Sequence, residues 1–459
     1  MNSESSSHSR SDEEISHSSS EEEVPPAPTG WDVAGFANNP VNNYISRFIQ
    51  SELARMQQPP QRPIRRRRRY IPRDHAGGHD RLFADYFAEK PRYPADVFRR
   101  RFIMRRSLFL RIVNALSARY PEFRLQRDAT GKPGLLPLQK CTVAIRKLAY
   151  GGSADMFDEY LQCGETTGNE CLKNFCQGVR EIFGEHYLRS PDAADCQFLL
   201  DWHWRTHGFP RMLGSIDCMH WQWKNCPTAW RGQFTTGYKG THPAIILEAI
   251  ADQRLWIWHA YFGIAGLNND LNVLNSLPLF NERVNGLGPS IEFTANGNVH
   301  NMGYYLADGI YPQWPVFLKT IRCPIGDSRK YFARAQESVR KDVERAFGVL
   351  QSRFALVNGP TRFYYQVDIA DIMYACIIMH NMIIEDEHEG VLNVTNDTSV
   401  ASSSHGVSTE SESARRGVPY NEHERFKAFM DIHQKEAHRA LQHDMIEELW
   451  ANRNRAHRP

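Results

Sequence analysis

MLGSIDCMHWQW, residues Met212 to Trp223, is a run in which apolar side chains surround a single carboxylate, Asp217. Side chains on a strand alternate between faces, so a strand here puts Asp217 on the same face as Met219, Trp221 and Trp223. Two more β-rich runs follow across polar turns, HPAIILEAIAD (His242 to Asp252) and LWIWHAYFG (Leu255 to Gly263). A loop-and-helix stretch, NNDLNVLNSLPLFNERVNG, leads to the short strand runs YYLADG and FLKTIRCPI. Two helical patterns close the region, Ser328 to about Phe354 and Asp368 to about Glu385. Strands followed by helices in this order suit a mixed sheet covered by helices, an α/β domain spanning residues 208–387.

Upstream, residues 80–205 read as helical. FRRRFIMRRSLFLRIVNALSARYP mixes basic and apolar residues at helical spacing, and LPLQKCTVAIRKLAYGG stops on Gly151-Gly152. In SADMFDEYLQCGETTGNECLKNFCQGVREIFG, Ser153 and Thr166 or Thr167 are N-cap candidates for two helices around a turn at Cys163-Gly164. That layout is compatible with a helix-turn-helix and, on spacing alone, better with an ordinary helical hairpin. Downstream, residues 388–420 read as a linker and residues 421–456 as one amphipathic helix, apolar at Phe426, Phe429, Met430, Ile432, Leu441, Met445 and Leu449.

Residues 1–75 are Ser/Glu-rich and then Pro- and Arg-rich, a composition that buries too little apolar surface to offset ordering and predicts disorder. A short amphipathic piece, Val41 to Met56, is a candidate partner-binding helix. The run Arg65, Arg66, Arg67, Arg68 and Arg69 suits nuclear import or DNA phosphate contact, with a solvated linker as the plain alternative. The formal charge of the chain is only +2, so whole-molecule charge does not point to nucleic acid. Nine cysteines without CxxC pairs and no secretory leader predict reduced thiols in a soluble intracellular protein. No run is read as a membrane span. The His and Cys spacings, such as Cys218 to Cys226 and His203 to His207, match no closed zinc set.

Four carboxylates stand out in the strand-rich half. Asp217 lies inside the first β-run, Asp270 in the loop after the third, Asp308 at the end of YYLADG, and Glu344 in the helix RKDVERAFGVLQSRF. A carboxylate within apolar strand residues is costly to bury unless it is paired or bound to metal. Glu344 borders the apolar stripe Val339, Val343, Phe347 and Leu350, so it sits at the edge of the helix face that packs on the sheet. Two strand aspartates and a helix glutamate can therefore meet at one end of the sheet, a hard-ligand set suited to Mg²⁺ or Mn²⁺ and to two-metal phosphodiester chemistry. The plain alternatives are an ion pair between Glu344 and Arg340 one turn earlier, and an N-cap role for Asp270.

Four segments carry a resemblance: MLGSIDCMHWQWKNCPTAW, LWIWHAYFGIAGLNNDLNVLN, YYLADGIYPQW and VRKDVERAFGVLQSRFALV. In order and length they resemble the transposases of PIF/Harbinger elements, especially the Pong-like plant group, over about residues 133–387. The resemblance implies an RNase H-like DDE nuclease domain preceded by a helix-turn-helix-like segment. It assigns Asp217, Asp308 and Glu344 as catalytic metal ligands and Asp270 as a further ligand, with two Mg²⁺ or Mn²⁺ ions. It implies cleavage at transposon ends and joining of the freed 3′-hydroxyl to A/T-rich target DNA, in the nucleus and also the cytoplasm. It further implies a Myb-like DNA-binding partner protein and a homo-oligomer, with no membrane role. Arg340 and Arg345 are expected to orient Glu344 or contact DNA phosphate, and the basic helix around Arg99 to Arg111 to favour long polyanions. The rival expectation is a domesticated descendant that serves as a chromatin or transcription partner without cutting DNA.

Overall fold

The computed structural model describes residues 44, 47–52, 71–235, 242–266, 291–392 and 422–453. The chain divides into two compact units, Met1–Ile71 and Pro72–Pro459. In the first, residues 47–52 are helical, inside the amphipathic piece expected there; the five-arginine run lies outside the described residues.

The second unit opens with helices α1 (His75–Tyr86), α2 (Ala95–Phe102), α3 (Arg106–Arg119) and α4 (Pro137–Tyr150). Pro137 at the first turn lacks an N–H that would be unbonded anyway, and Gly151 ends α4 in the left-handed region at φ 64°. A four-residue helix, α5 (Asp158–Leu161), then turns through Gln162 into α6 (Glu165–Tyr187). Helix α6 starts earlier than the threonines predict. Gly164 occupies the N-cap position, which leaves Thr166 and Thr167 inside the first turn. Helix α7 (Ala193–His207) begins with a reciprocal capping box between Asp192 and Asp195.

The sheet follows: β1 (Met212–Gln222), β2 (Ala244–Ala251), β3 (Ile257–Ala265), then a separate hairpin of β4 (Phe293–Ala295) and β5 (Asn298–His300), then β6 (Tyr304–Ala307) and β7 (Phe317–Lys319). The main sheet has the order β3-β2-β1-β6-β7. Strands β1, β2 and β3 run antiparallel, whereas β6 and β7 add in parallel to β1. The protein is thus a mixed α/β fold with a five-stranded mixed sheet. Gly214 sits at a bulge where β1 leaves register with β6. A side chain there would meet the Ala251 carbonyl at 2.9 Å, so the β1–β2 approach requires glycine.

Two long helices complete the unit, α8 (Asp327–Arg353) and α9 (Gln366–Leu392), followed by α10 (Glu422–Ile432) and α11 (Lys435–Asn452). The single C-terminal helix expected from the apolar pattern is broken. The His433 N–H bonds the Met430 carbonyl at 3.0 Å, tightening the last turn of α10, and the His433 ring packs on Trp314 with centroids 4.2 Å apart. Restarting at Lys435 lets Leu441, Met445 and Leu449 share a core with Met212, Leu306, Leu318 and Phe332.

The helical region and the sheet share one apolar core, which runs from Leu82 and Phe109 through Phe175 to Trp223, Leu247 and Ile377. Buried Asn381 ties three elements together: its amide donates to the carbonyls of Tyr187 and Ile257, each at 2.8 Å, and its oxygen accepts from the Ile257 N–H at 3.0 Å. The residue span 80–205 is therefore packed as part of the same body as the sheet. Contrary to the sequence reading of membrane spans, Gln366–His388 in α9 is long and apolar enough to cross a membrane by composition. Most of that stretch is buried inside the protein, where Ile372, Cys376 and Met379 join the core shared by α6 and the sheet.

Candidate functional site

Asp217, Asp308 and Glu344 converge from three elements. The parallel register pairs Ser215 with Leu306. Asp308 follows directly on β6, and its charge reaches Asp217 on β1. The face of β1 that carries Asp217 meets α8, because the Ser215 hydroxyl donates to the Val339 carbonyl at 3.2 Å. Met219, Trp221 and Trp223 are buried, as their shared parity with Asp217 requires, and the two indole N–H groups donate to the carbonyls of Gly359 and Phe363. Asp217 Oδ1 accepts from the Cys218 N–H at 2.8 Å, and Asp308 Oδ1 accepts from the Gly309 N–H at 2.5 Å.

One cation holds two of the three carboxylates. Arg340 Nη1 lies 3.2 Å from Asp217 Oδ2 and 2.7 Å from Glu344 Oε1. Burial pushes the Asp217 carboxyl above the usual aspartate range; the Cys218 N–H and Arg340 pull it back, and the charges of Glu344 and Asp308 push it up again. The three carboxylates therefore repel one another, and Arg340 relieves only part of that repulsion. The pair of Arg340 with Glu344 expected as an ordinary surface contact exists, but it extends to Asp217 and so belongs to the site.

Other expected residues fall elsewhere. Asp270 lies outside the described residues, as do Arg65 to Arg69. Arg345 does not orient Glu344: it pairs with Asp342, a buried carboxylate one turn back that also lies 3.3 Å from His207 Nε2. Leaving Asp342 unpaired would strand a buried charge, which explains why Arg345 folds back.

Most arginines of the basic helices are engaged by other groups among the described residues, with Arg100 exposed. Arg99 and Arg353 both pair with Glu387, and Arg105 pairs with Asp386. Arg111 donates to the Tyr187 hydroxyl at 2.5 Å, and that hydroxyl donates to Glu385. Arg101 lies over the Tyr93 ring, 4.3 Å from its centroid, and Arg106 over Phe98. The reason is the acidic run Glu385-Asp386-Glu387 at the end of α9, far off in sequence and adjacent in the fold. The exposed side of helix α6 carries Glu165, Glu170, Glu181 and Glu185, and its cations Lys173 and Arg180 pair with Asp368 and Asp371.

A concave surface of ≈ 480 Å³ adjoins Asp308, lined also by Thr320, Lys330, Arg334, Gln336 and Arg340. Lys330 and Arg334 escape a reading focused on the immediate neighbours of Glu344; their spacing from it along α8 was the available signal.

The donor set of the site is three oxygen carboxylates, the chemistry a hard divalent cation requires. Among the described residues no three His, Cys, Asp or Glu side chains stand close enough to hold one ion, and Arg340 bridges two of the three candidates. The set fits such an ion in chemistry, while its three members are not gathered within reach of one ion.

An aspartate on central strand β1, another just after neighbouring β6 and a glutamate on α8 make a candidate acidic site on a mixed sheet. Residues 185–391 match the family model described as plant transposon protein, a span that contains all three carboxylates. Residues 78–117 match a domain of unknown function. Relatives include "Protein ALP1-like" of Arabidopsis thaliana, 23% identical over 57% of this chain and 64% of its own length. They also include "Putative nuclease HARBI1" of Xenopus laevis, 24% identical over 57% of this chain and 72% of its own, and the human protein of the same name at 22%. The match thus spans just under two thirds of the Arabidopsis relative. No solved structure gives a significant match. The chain is thus similar, over residues 185–391, to plant transposon proteins and, at 22–24% identity, to proteins named putative nuclease HARBI1.

Proposed function

We propose that this chain is a divalent-metal-dependent DNA nuclease and transposase built on an RNase H-like sheet. The observation that carries the reading is the convergence of Asp217, Asp308 and Glu344 from β1, the end of β6 and α8, within the span matched to plant transposon proteins. In this reading Asp217, Asp308 and Glu344, with Asp270 as a further ligand, would hold the divalent ions. Bound Mg²⁺ or Mn²⁺ supplies charge neutralisation on the phosphate and lowers the pKa of the attacking water or hydroxyl. The first step forms a bond from water oxygen to phosphorus and breaks the bond to the 3′ oxygen at the element end. In the second, the freed 3′-hydroxyl attacks target DNA and displaces a target 3′ oxygen. Arg340 is the residue that changes partner, leaving Glu344 and Asp217 for a phosphate oxygen as the carboxylates are neutralised.

The DNA partners are the terminal repeats and an A/T-rich target, with a Myb-like protein as recruiter, in a nuclear homo-oligomer. A second reading has its own support. With Arg340 bridging Asp217 and Glu344, two of the three carboxylates are already engaged by the protein itself, as suits a transposase-derived chromatin or transcription partner that does not cut.

Cleavage decides between them. Purified chain with Mn²⁺ and DNA ending in the element's terminal repeats should nick at the repeat boundary, and Asp308→Asn should remove nicking while keeping DNA affinity. Absence of metal-dependent nicking by the intact chain would favour the non-cutting reading.

A further inference from the structure

Helix α8 carries Lys330, Arg334, Glu337, Arg340, Lys341 and Glu344 within about 120° of its circumference at 100° per residue. Opposite them, Phe332, Val339, Val343 and Leu350 are buried against the sheet and α11. A charged outer face is by itself ordinary for an amphipathic helix. Three observations set this one apart. Lys330, Arg334 and Arg340 line one concave surface together with Asp308, so the stripe opens onto the candidate catalytic carboxylates. Lys330 and Arg334 are exposed and make no ion pair among the described residues, although Glu337 lies on the same stripe. Arg322, from the segment after β7, lies against Gly309, next to Asp308: its guanidinium nitrogens are 3.7 Å from where a Gly309 side chain would begin. Around Asp308 lie the cations Arg322, Lys330, Arg334 and Arg340; Arg340 is taken by Asp217 and Glu344, which leaves Arg322, Lys330 and Arg334 with Asp308 and Glu337.

The distances suit a strand of nucleic acid. Arg334 stands ten residues, about 15 Å, along the helix from Glu344, and Lys330 about 21 Å. Both line the surface that also holds Asp308, so a strand seated on them runs along α8 toward the carboxylates.

We infer that Arg322, Lys330 and Arg334 form a cradle for the DNA backbone that sets how far the cleaved phosphate lies from the duplex held along α8. This rests on the nuclease reading and names the side of the site from which substrate enters. The cradle reads phosphates and not bases, so it acts on all sequences alike.

The test is fluorescence anisotropy of a labelled DNA duplex of about 30 base pairs titrated with the full chain at several KCl concentrations. Each lost phosphate contact lowers the slope of log affinity against log salt by about 0.9. Lys330→Ala/Arg334→Ala should therefore lower the slope by nearly two, and Arg322→Ala by nearly one. Arg99→Ala, which removes a cation paired with Glu387, should leave it unchanged. A double variant with the wild-type circular dichroism spectrum and an unchanged slope would overturn the cradle. Cleavage measured on the same samples separates the two levels. A chain that cuts DNA with the slope unmoved loses the cradle and keeps the nuclease; one that shows the slope loss without metal-dependent cutting keeps the cradle and loses the nuclease. No DNA binding by the intact chain overturns both.

Discussion

Two arginine-bearing regions of this protein have opposite fates. In α2 and α3, FRRRFIMRRSLFLR packs most of its arginines onto carboxylates and rings: Glu387, Asp386, Tyr187, Tyr93 and Phe98 take Arg99, Arg105, Arg111, Arg101 and Arg106. In α8, Lys330 and Arg334 stay unpaired beside a concave surface, while Arg340 bridges two candidate catalytic carboxylates. The first region holds the fold together, and the second is available to an anion. A count of arginines along the chain misassigns both, because what matters is whether a carboxylate lies within reach in three dimensions.

The largest effect that would sharpen this contrast is on the chemistry. Glu344→Gln should cut the rate of metal-dependent nicking by about a thousandfold, the usual scale for removing a group that neutralises transition-state charge. The measure is single-turnover cleavage of a terminal-repeat duplex, and a fall under tenfold would remove Glu344 from the site. Acid should next weaken the fold as a whole. Burial pushes His203 and His259 down to about 4 and His380 to about 3. A histidine with a depressed pKa stabilises the fold above its unfolded value near 6.5, and that contribution is lost as pH falls toward 4. The unfolding free energy measured by urea titration should thus drop steadily between pH 6.5 and 4, by several kcal/mol in all. A flat profile would mean that these imidazoles are not buried neutral.

Glu387→Gln attacks the paired region. It leaves half-buried Arg353 without its carboxylate, and should cost about 1–3 kcal/mol in stability with no change in the salt slope of DNA binding. A steeper slope would show that Arg99 can turn to DNA when released. The smallest expected effect is that of Arg345→Ala, about 1 kcal/mol, because His207 remains beside Asp342. Loss of DNA affinity in that variant would restore Arg345 to the phosphate contacts.

Much of the fold was legible because strand parity and helix period are local. Asp217 shares its face with Trp221 and Trp223 as alternation demands, and Glu344 borders the buried stripe as the 3.6-residue period demands. The meeting of Asp217 with Asp308 depends on a parallel register across some ninety residues, and the resemblance, not periodicity, pointed to it. Two features had no local signature. The break at His433-Gln434 is imposed by the packing of the His433 ring on Trp314. The neutralisation of the α2–α3 arginines comes from Glu385-Asp386-Glu387, more than 270 positions away.

The central claim is that Asp217, Asp308 and Glu344 form a catalytic site. Its most direct test is excision of a matching non-autonomous element from a plasmid in cells that also supply the Myb-like partner, with the intact chain against Asp308→Ala. Excision by the intact chain that disappears in the variant is the predicted result. Excision that survives Asp308→Ala would contradict it.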